Sequence, residues 1–101
     1  MKIIKSLNNN ELTLTLVGEL NTVTYQELED LIKDSLKGIK TLIYDLSKLE
    51  YISSAGLRVF LISKKAMDNQ QGRLIVRNPN KGVMEIFNIT GFSNILEFEN
   101  D

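Results

Sequence analysis

Two adjacent hydroxyls, on Ser53 and Ser54, stand where a buried strand is expected to pass through a short polar loop into a helix. Apolar residues before Asp45 predict the strand, and those from Leu57 onwards predict the helix. At a helix start the first backbone N–H groups have no intrahelical partner, and the peptide dipoles sum to a partial positive charge. A phosphate placed there gains hydrogen bonds and a favourable field. We therefore predict that one of these serines accepts a phosphate.

The neighbours of the two serines predict their positions in the first turn. With Ser53 as the N-cap, Ile52 and Leu57 take the two places whose apolar side chains form a hydrophobic staple. Ser54 is then the first helical residue and has the freer, more solvent-facing hydroxyl. Standing alone, such a pair more often does no more than start a helix. Gly56 favours the functional interpretation, because an interior helical glycine costs about 1 kcal/mol and suits a place where a partner or the sheet approaches closely.

Composition excludes several classes of protein. The 101 residues predict one domain, and the net charge of -1 gives no basic surface for a nucleic-acid backbone. The chain has no cysteine and no histidine, which excludes a disulfide framework, a thiolate metal site and a histidine-dependent hydrolase. It also has no Gly-x-Ser-x-Gly elbow and no glycine-rich phosphate loop. We therefore expect a protein that has no enzymatic activity and binds no metal or cofactor.

The N-terminal region predicts an antiparallel hairpin. Residues 1–7 read as a first strand, Asn8-Asn9-Asn10 as a turn, and the alternation over residues 11–17 as a half-buried second strand. Residues 18–22 break the pattern. No apolar stretch has the length of a bilayer span, and the basic N-terminus lacks a long apolar segment after it, so we expect a cytoplasmic protein without a membrane partner.

The first helix has clear start signals. Thr24 and Glu27 predict a capping box, and Val23 and Leu28 occupy the staple positions. Gly38 is the predicted C′ residue that ends the helix. One apolar face is formed by Tyr25, Leu28, Leu31, Ile32 and Leu36.

The rest of the chain alternates strand and helix. Residues 41–46 are apolar at consecutive positions, which predicts a central strand covered on both faces. A helix over 54–69, a strand over 73–77, a third helix started by Asn78-Pro79-Asn80 and an edge strand over 95–98 follow. A hairpin followed by such alternation predicts a single α/β domain with a mixed, mostly parallel sheet.

Three stretches carry a resemblance to a known family: Gly18-Glu19-Leu20-Asn21, Asp45-Leu46-Ser47 and Tyr51-Ile52-Ser53-Ser54-Ala55-Gly56-Leu57. They are similar to the STAS domain of bacterial anti-sigma factor antagonists, and the order of elements matches over nearly the whole chain. The resemblance implies one STAS domain over residues 1–101 and a regulator of transcription. In that family the unphosphorylated protein binds an anti-sigma factor, which is a serine kinase, and so frees the sigma factor. Phosphorylation of a serine at this helix start ends the binding.

The resemblance makes Ser54 the phosphoacceptor, with Ser53 as the alternative. It implies a serine phosphatase as a further partner and leaves ATP and magnesium to the kinase. Three positions depart from the family pattern, which often has aspartate where Ser53 and Asn21 stand and serine or threonine where Ala55 stands. We expect one contiguous partner-binding surface, because loops at the carboxyl ends of neighbouring parallel strands converge. Its predicted members are Asn21, Tyr51, Ser53, Ser54, Gly56 and Arg58.

Two other functions remain open at this stage. The protein could be a STAS interaction module that is never phosphorylated and works in a larger signalling assembly or beside a transporter, which the absent aspartate favours. It could also be an enzyme, but a catalytic serine would need a lysine base for which no motif argues. Phosphorylation-controlled partner switching is the preferred hypothesis.

Overall fold

A computed structural model gives the fold of the chain and describes residues 1–100. These form six strands, three α-helices and a short 3-10 helix over Phe92–Asn94. The strands are β1 (Lys2–Asn8), β2 (Glu11–Leu20), β3 (Thr41–Asp45), β4 (Leu49–Ile52), β5 (Arg73–Arg77) and β6 (Glu97–Glu99). The helices are α1 (Tyr25–Ser35), α2 (Ser54–Asn69) and α3 (Lys81–Thr90).

The sheet is mixed and mostly parallel, as predicted. Its order is β1-β2-β3-β5-β6, with β1 antiparallel to β2 and the other neighbours parallel. The hairpin pairs Ile3 with Leu16 and Leu7 with Leu12. The central position of β3 is also confirmed, and Leu42, Ile43 and Tyr44 are buried in consecutive order because both faces of this strand are covered.

Strand β2 runs three residues further than predicted and changes its partner on the way. Up to Thr15 it pairs with β3, whereas from Gly18 to Leu20 it pairs with β4. The register shifts between Gly18 and Glu19, and Gly18 has a φ of 106°, which only glycine adopts without strain. The predicted break at residue 18 is therefore a bulge within a strand.

Strand β4 corrects the prediction of a polar loop between β3 and α2. Leu49 and Ile52 are buried, while Glu50 and Tyr51 between them are exposed. Two exposed residues in succession give no alternation, and so the period-2 pattern of a strand is missing from the sequence. The strand forms because its backbone continues the sheet beside the outer part of β2.

The apolar faces of all three helices join one core with the inward side chains of β2, β3 and β5. A row of rings crosses this core. Tyr44 stacks on Phe60 with ring centroids 4.2 Å apart, Phe60 lies 5.9 Å from Phe87, and Phe87 lies 5.6 Å from Phe98. These contacts connect β3, α2, α3 and β6 and fix α2, which carries the two serines, over the sheet.

Several element boundaries differ from the prediction. Helix α1 ends at Ser35 with Leu36 as its C-cap, so Gly38, with a φ of 80°, lies one residue beyond the C′ position that was predicted for it. Pro79 lies before α3, because Asn80 is the N-cap and its side chain accepts a hydrogen bond from Val83 N at 2.8 Å. The last strand is shifted from 95–98 to 97–99 by the preceding 3-10 helix, and it is an edge strand as predicted.

Candidate functional site

The start of α2 lies at the carboxyl ends of β2 and β4. These strands are parallel, Leu20 pairs with Ile52, and Ser53 N donates to Leu20 O at 2.9 Å. Asn21 and Ser53 are therefore the residues that follow a matched pair on two neighbouring strands. Loops that leave parallel strands at one end of a sheet commonly build binding sites.

Ser53 is the N-cap of α2, as predicted. It is extended, with φ -101° and ψ 178°, and its carbonyl accepts from Leu57 N at 3.0 Å. Its side chain, however, makes no capping hydrogen bond, and Oγ is buried without a partner among residues 1–100. A buried hydroxyl without a partner costs free energy, and it is also closed to a modifying enzyme.

Ser54 is the first residue of α2, and its side chain is exposed. The first turn of this helix contains no acidic residue, so no carboxylate of that turn competes for the free backbone N–H groups. Arg58 lies one turn further along and is also exposed. The exposed hydroxyl therefore sits in a locally positive environment.

Asn21 organises the loop between β2 and α1 through its own side chain. Its Oδ1 accepts from Val23 N at 2.9 Å and from Thr24 N at 3.1 Å. The Thr24 hydroxyl accepts from Asn21 N at 2.9 Å and donates to Glu19 O at 2.8 Å. Asn21 is half-buried, so it shapes the loop beside Ser53 and keeps part of its amide at the surface.

These bonds correct the predicted start of α1. Thr24 is the N-cap, but its side chain makes no capping bond, so the predicted capping box with Glu27 is absent. The predicted staple is absent as well, because Val23 is 85% exposed while Leu28 is fully buried. Asn21 takes over the capping function, since its oxygen satisfies two backbone donors ahead of the helix.

Gly56 does not lie on the exposed surface, which corrects its predicted place among the partner-facing residues. It is buried, and a Cβ atom built on it would lie 2.7 Å from Leu20 Cγ and 2.8 Å from Ile52 Cγ1. The close approach anticipated at this glycine is therefore that of β2 and β4. Tyr51 is 46% exposed on β4, at the same end of the molecule as Ser54.

The side chains with shifted pKa values, Tyr44 and Arg73, lie away from the start of α2. Burial raises the pKa of the Tyr44 phenol, which is hydrogen-bonded to Ser63 at 2.7 Å in the core. The hydrogen bond and charge of Glu97 raise the pKa of Arg73 on β5. Within residues 1–100 no cluster of three or more acidic side chains could hold a metal ion. The site around Ser54 thus offers a hydroxyl, an amide and one cation, which suit modification and recognition.

One feature was not predicted: a groove between α1 and α2 that begins one turn after Ser54, at Arg58, and includes Ile62. The sequence pattern that could have indicated this groove is the four-residue spacing from Ser54 through Arg58 to Ile62, because residues four apart lie on one side of a helix.

None of the helices described over residues 1–100 combines the length and the apolar character that crossing a bilayer requires.

Comparison with known proteins gives a consistent result. A family model described as "STAS domain" matches residues 2–101. BtrV of Bordetella bronchiseptica, a candidate anti-sigma factor antagonist, is 36% identical over 99% of this chain and 87% of its own length. An anti-sigma-B factor antagonist of Listeria monocytogenes is 27% identical over 96% of this chain and 86% of its own.

A solved structure has the same fold. The anti-sigma factor antagonist SpoIIAA in its unphosphorylated form superposes with a TM-score of 0.88 at 18% identity, covering 99% of this chain and 88% of SpoIIAA.

Proposed function

We propose that this chain, which belongs to the STAS domain family of anti-sigma factor antagonists, is a partner-switching regulator controlled by phosphorylation of Ser54. In the unphosphorylated form it binds an anti-sigma factor that is a serine kinase, and the sigma factor is released to start transcription. Phosphorylation by that kinase ends the complex, and a serine phosphatase restores it. ATP and magnesium belong to the kinase, and the exchange takes place in the cytoplasm.

One observation carries the choice of Ser54. Of the two hydroxyls at the start of α2, that of Ser54 is exposed and that of Ser53 is buried. A kinase must place the acceptor oxygen in line with the γ-phosphate, so a covered oxygen cannot react without local unfolding. Ser54 is thus the acceptor that needs no rearrangement of the protein.

A phosphate on Ser54 is compatible with the fold. It would add about -1.5 to -2 charges and three acceptor oxygens at the first residue of a 16-residue helix, where backbone donors and the dipole stabilise an anion. The surface shared by Asn21, Tyr51 and Ser54 would change sign locally while the core stays unchanged. A partner that fits the unphosphorylated surface would then meet repulsion and steric overlap.

The size of that effect is sufficient for a switch. Breaking or leaving unpaired a few hydrogen bonds to charged groups costs about 2 to 3 kcal/mol, which lowers affinity roughly 30- to 150-fold. We expect Ser54→Ala to bind the kinase constitutively and Ser54→Asp to bind it poorly. Both substitutions are on an exposed side chain, so neither should disturb folding.

The experiment is phosphorylation by the natural partner. The protein is purified with the kinase that copurifies with it, incubated with ATP and magnesium, and mapped by mass spectrometry. Wild type and Ser53→Ala should carry one phosphate on Ser54, whereas Ser54→Ala should carry none. Calorimetric titration of the kinase with Ser54→Ala and Ser54→Asp then measures the affinity ratio.

Two results would contradict the proposal in different ways. Phosphate on Ser53 would show that the buried hydroxyl becomes accessible in the complex. A partner that binds the protein while neither serine is phosphorylated, with equal affinity for Ser54→Ala and Ser54→Asp, would make the protein an interaction module without a phosphate cycle. The substitution of Ser53 for the aspartate that the family often has at this position is the observation in favour of that second function.

A further inference from the structure

A groove with a volume of about 380 Å³ lies between α1 and α2, on the side of α2 that continues from Ser54. Ile32 and Leu36 from the α1 side and Ile62 and Ala66 from α2 provide its apolar lining. Ile32 and Leu36 are nearly covered, whereas Ile62 is 37% exposed. The volume falls within the range of small-molecule sites, about 300 to 1,000 Å³.

The rim of the groove is predominantly positive. Lys33, Lys37 and Arg58 line it together with one carboxylate, that of Glu29. Glu29 has one oxygen covered by protein, and the other accepts from Gln26 Nε2 at 3.5 Å. Within residues 1–100, Arg58 makes no ion pair and no hydrogen bond. An exposed guanidinium beside an apolar lining is therefore available to an external anion.

We infer that this groove binds a small amphipathic anion, with the anionic group against Arg58 and a hydrocarbon body on the lining side chains. At about 30 Å³ for each water-sized group, the volume admits roughly a dozen heavy atoms, the size of a medium-chain carboxylate. A partner helix would need several turns of exposed apolar surface. The lining offers only Ile62 as an exposed large apolar side chain, which favours a small ligand that inserts between the helices.

Arg58 also connects the groove to the site of phosphorylation, a link that rests on the proposed function. Ser54, Arg58, Ile62 and Ala66 follow one another at intervals of four residues and form one ridge of α2. Side chains four apart have Cβ atoms about 5 to 6 Å apart, and an acidic residue preceding a basic one is the favourable order. A negative charge at position 54 therefore competes with the ligand for the same guanidinium, so ligand and phosphate weaken each other.

The test uses octanoate, which has a carboxylate, and octan-1-ol, which has the same chain length without a charge. The isotope-labelled protein is titrated with each, and backbone amide shifts are followed by NMR. We expect octanoate to saturate with a dissociation constant on the order of 5 mM, from roughly ten heavy atoms at the ligand efficiency of ordinary binders. The shifts should be largest along the groove, and octan-1-ol should bind at least 3-fold more weakly.

Variants at the exposed residues Arg58 and Ile62 separate ligand binding from folding. Arg58→Gln should weaken the binding of octanoate 3- to 10-fold and leave the binding of octan-1-ol unchanged. Ile62→Gln should weaken the binding of both probes. Glu29→Gln removes the one carboxylate of the groove and should strengthen the binding of octanoate. Equal affinity for the two probes, or shifts that do not saturate, would overturn the inference. Loss of kinase binding in Ile62→Gln without octanoate saturation would likewise overturn it and assign the groove to a protein partner.

The link to phosphorylation is tested without the kinase. Ser54→Asp should bind octanoate at least 2-fold more weakly than Ser54→Ala does, and the difference should vanish when each variant also carries Arg58→Gln. Equal affinities in the two Ser54 variants would overturn the link. Because neither protein is phosphorylated, failure of the proposed phosphate cycle would not affect this result.

Discussion

Replacing Gly56 by alanine should destabilise the protein, although alanine is the better helix former. The substitution gains about 1 kcal/mol of helix propensity. The new Cβ would lie 2.7 and 2.9 Å from Leu20 Cγ and Cδ2 and 2.8 Å from Ile52 Cγ1, distances at which atoms must move apart. Overpacking of this kind costs about 1 to 3 kcal/mol. We therefore expect a net loss of about 1 kcal/mol.

Gly82 provides the matched control. It also lies in a helix, α3, but it is exposed, and a Cβ built on it would approach no atom closer than Asn80 Oδ1 at 3.5 Å, an ordinary contact. Gly82→Ala should therefore stabilise the protein by up to about 1 kcal/mol. The two substitutions change the same atoms and differ only in what surrounds them.

Thermal and urea unfolding measure the difference. A net loss of 1 kcal/mol lowers the melting temperature of a chain of this size by about 4 °C or more, and it lowers the urea midpoint by about 0.5 M at a slope of about 2 kcal/mol/M. Stabilisation of Gly56→Ala equal to that of Gly82→Ala would refute the argument from close packing.

Two further predictions concern the loop beside the site and the core. Asn21→Ala should lower the free energy of unfolding in urea by about 1 to 2 kcal/mol, because Val23 N and Thr24 N lose their acceptor. Asn21→Asp keeps both hydrogen bonds and should stay near wild type. Equal losses in the two variants would contradict this capping role. Burial raises the folded pKa of Tyr44, so this phenol contributes stability that is fully present below its unfolded pKa of about 10 and is lost as pH rises further. The free energy of unfolding should fall less steeply above pH 10 in Tyr44→Phe than in wild type or Tyr51→Phe, and an identical slope in all three proteins would count against it.

The sequence predicted the parts of the fold whose patterns are long. Leu12, Leu14 and Leu16 alternate with polar residues, residues 42–44 are apolar in succession, and α2 shows its apolar face over sixteen residues, so these elements were found at nearly correct bounds. Strand β4 escaped because two of its four residues are exposed side by side. The start of α1 was misread because Thr24 and Glu27 match a capping box by type, whereas the loop is closed by Asn21 through bonds that depend on the end of β2.

Some features of the site could likewise be predicted from the sequence, and others depend on the tertiary fold. The N-cap position of Ser53 and the exposure of Ser54 follow from local spacing and could be predicted. The burial of Gly56 depends on Leu20, a residue 36 positions earlier in the chain, and only the pairing of β2 with β4 brings them together. The charged rim of the groove likewise combines two helices that are separate in sequence.

The change of partner along β2 has a consequence for local unfolding. β4 is joined to the rest of the sheet by three residue pairs with β2 alone, whereas β3 has five pairs on each side. Local opening costs less where fewer backbone hydrogen bonds and contacts are broken. Strand β4, which leads to the start of α2, can thus detach and re-form while the five-stranded part of the sheet stays closed, and its amides should exchange with solvent hydrogen much faster than those of β3.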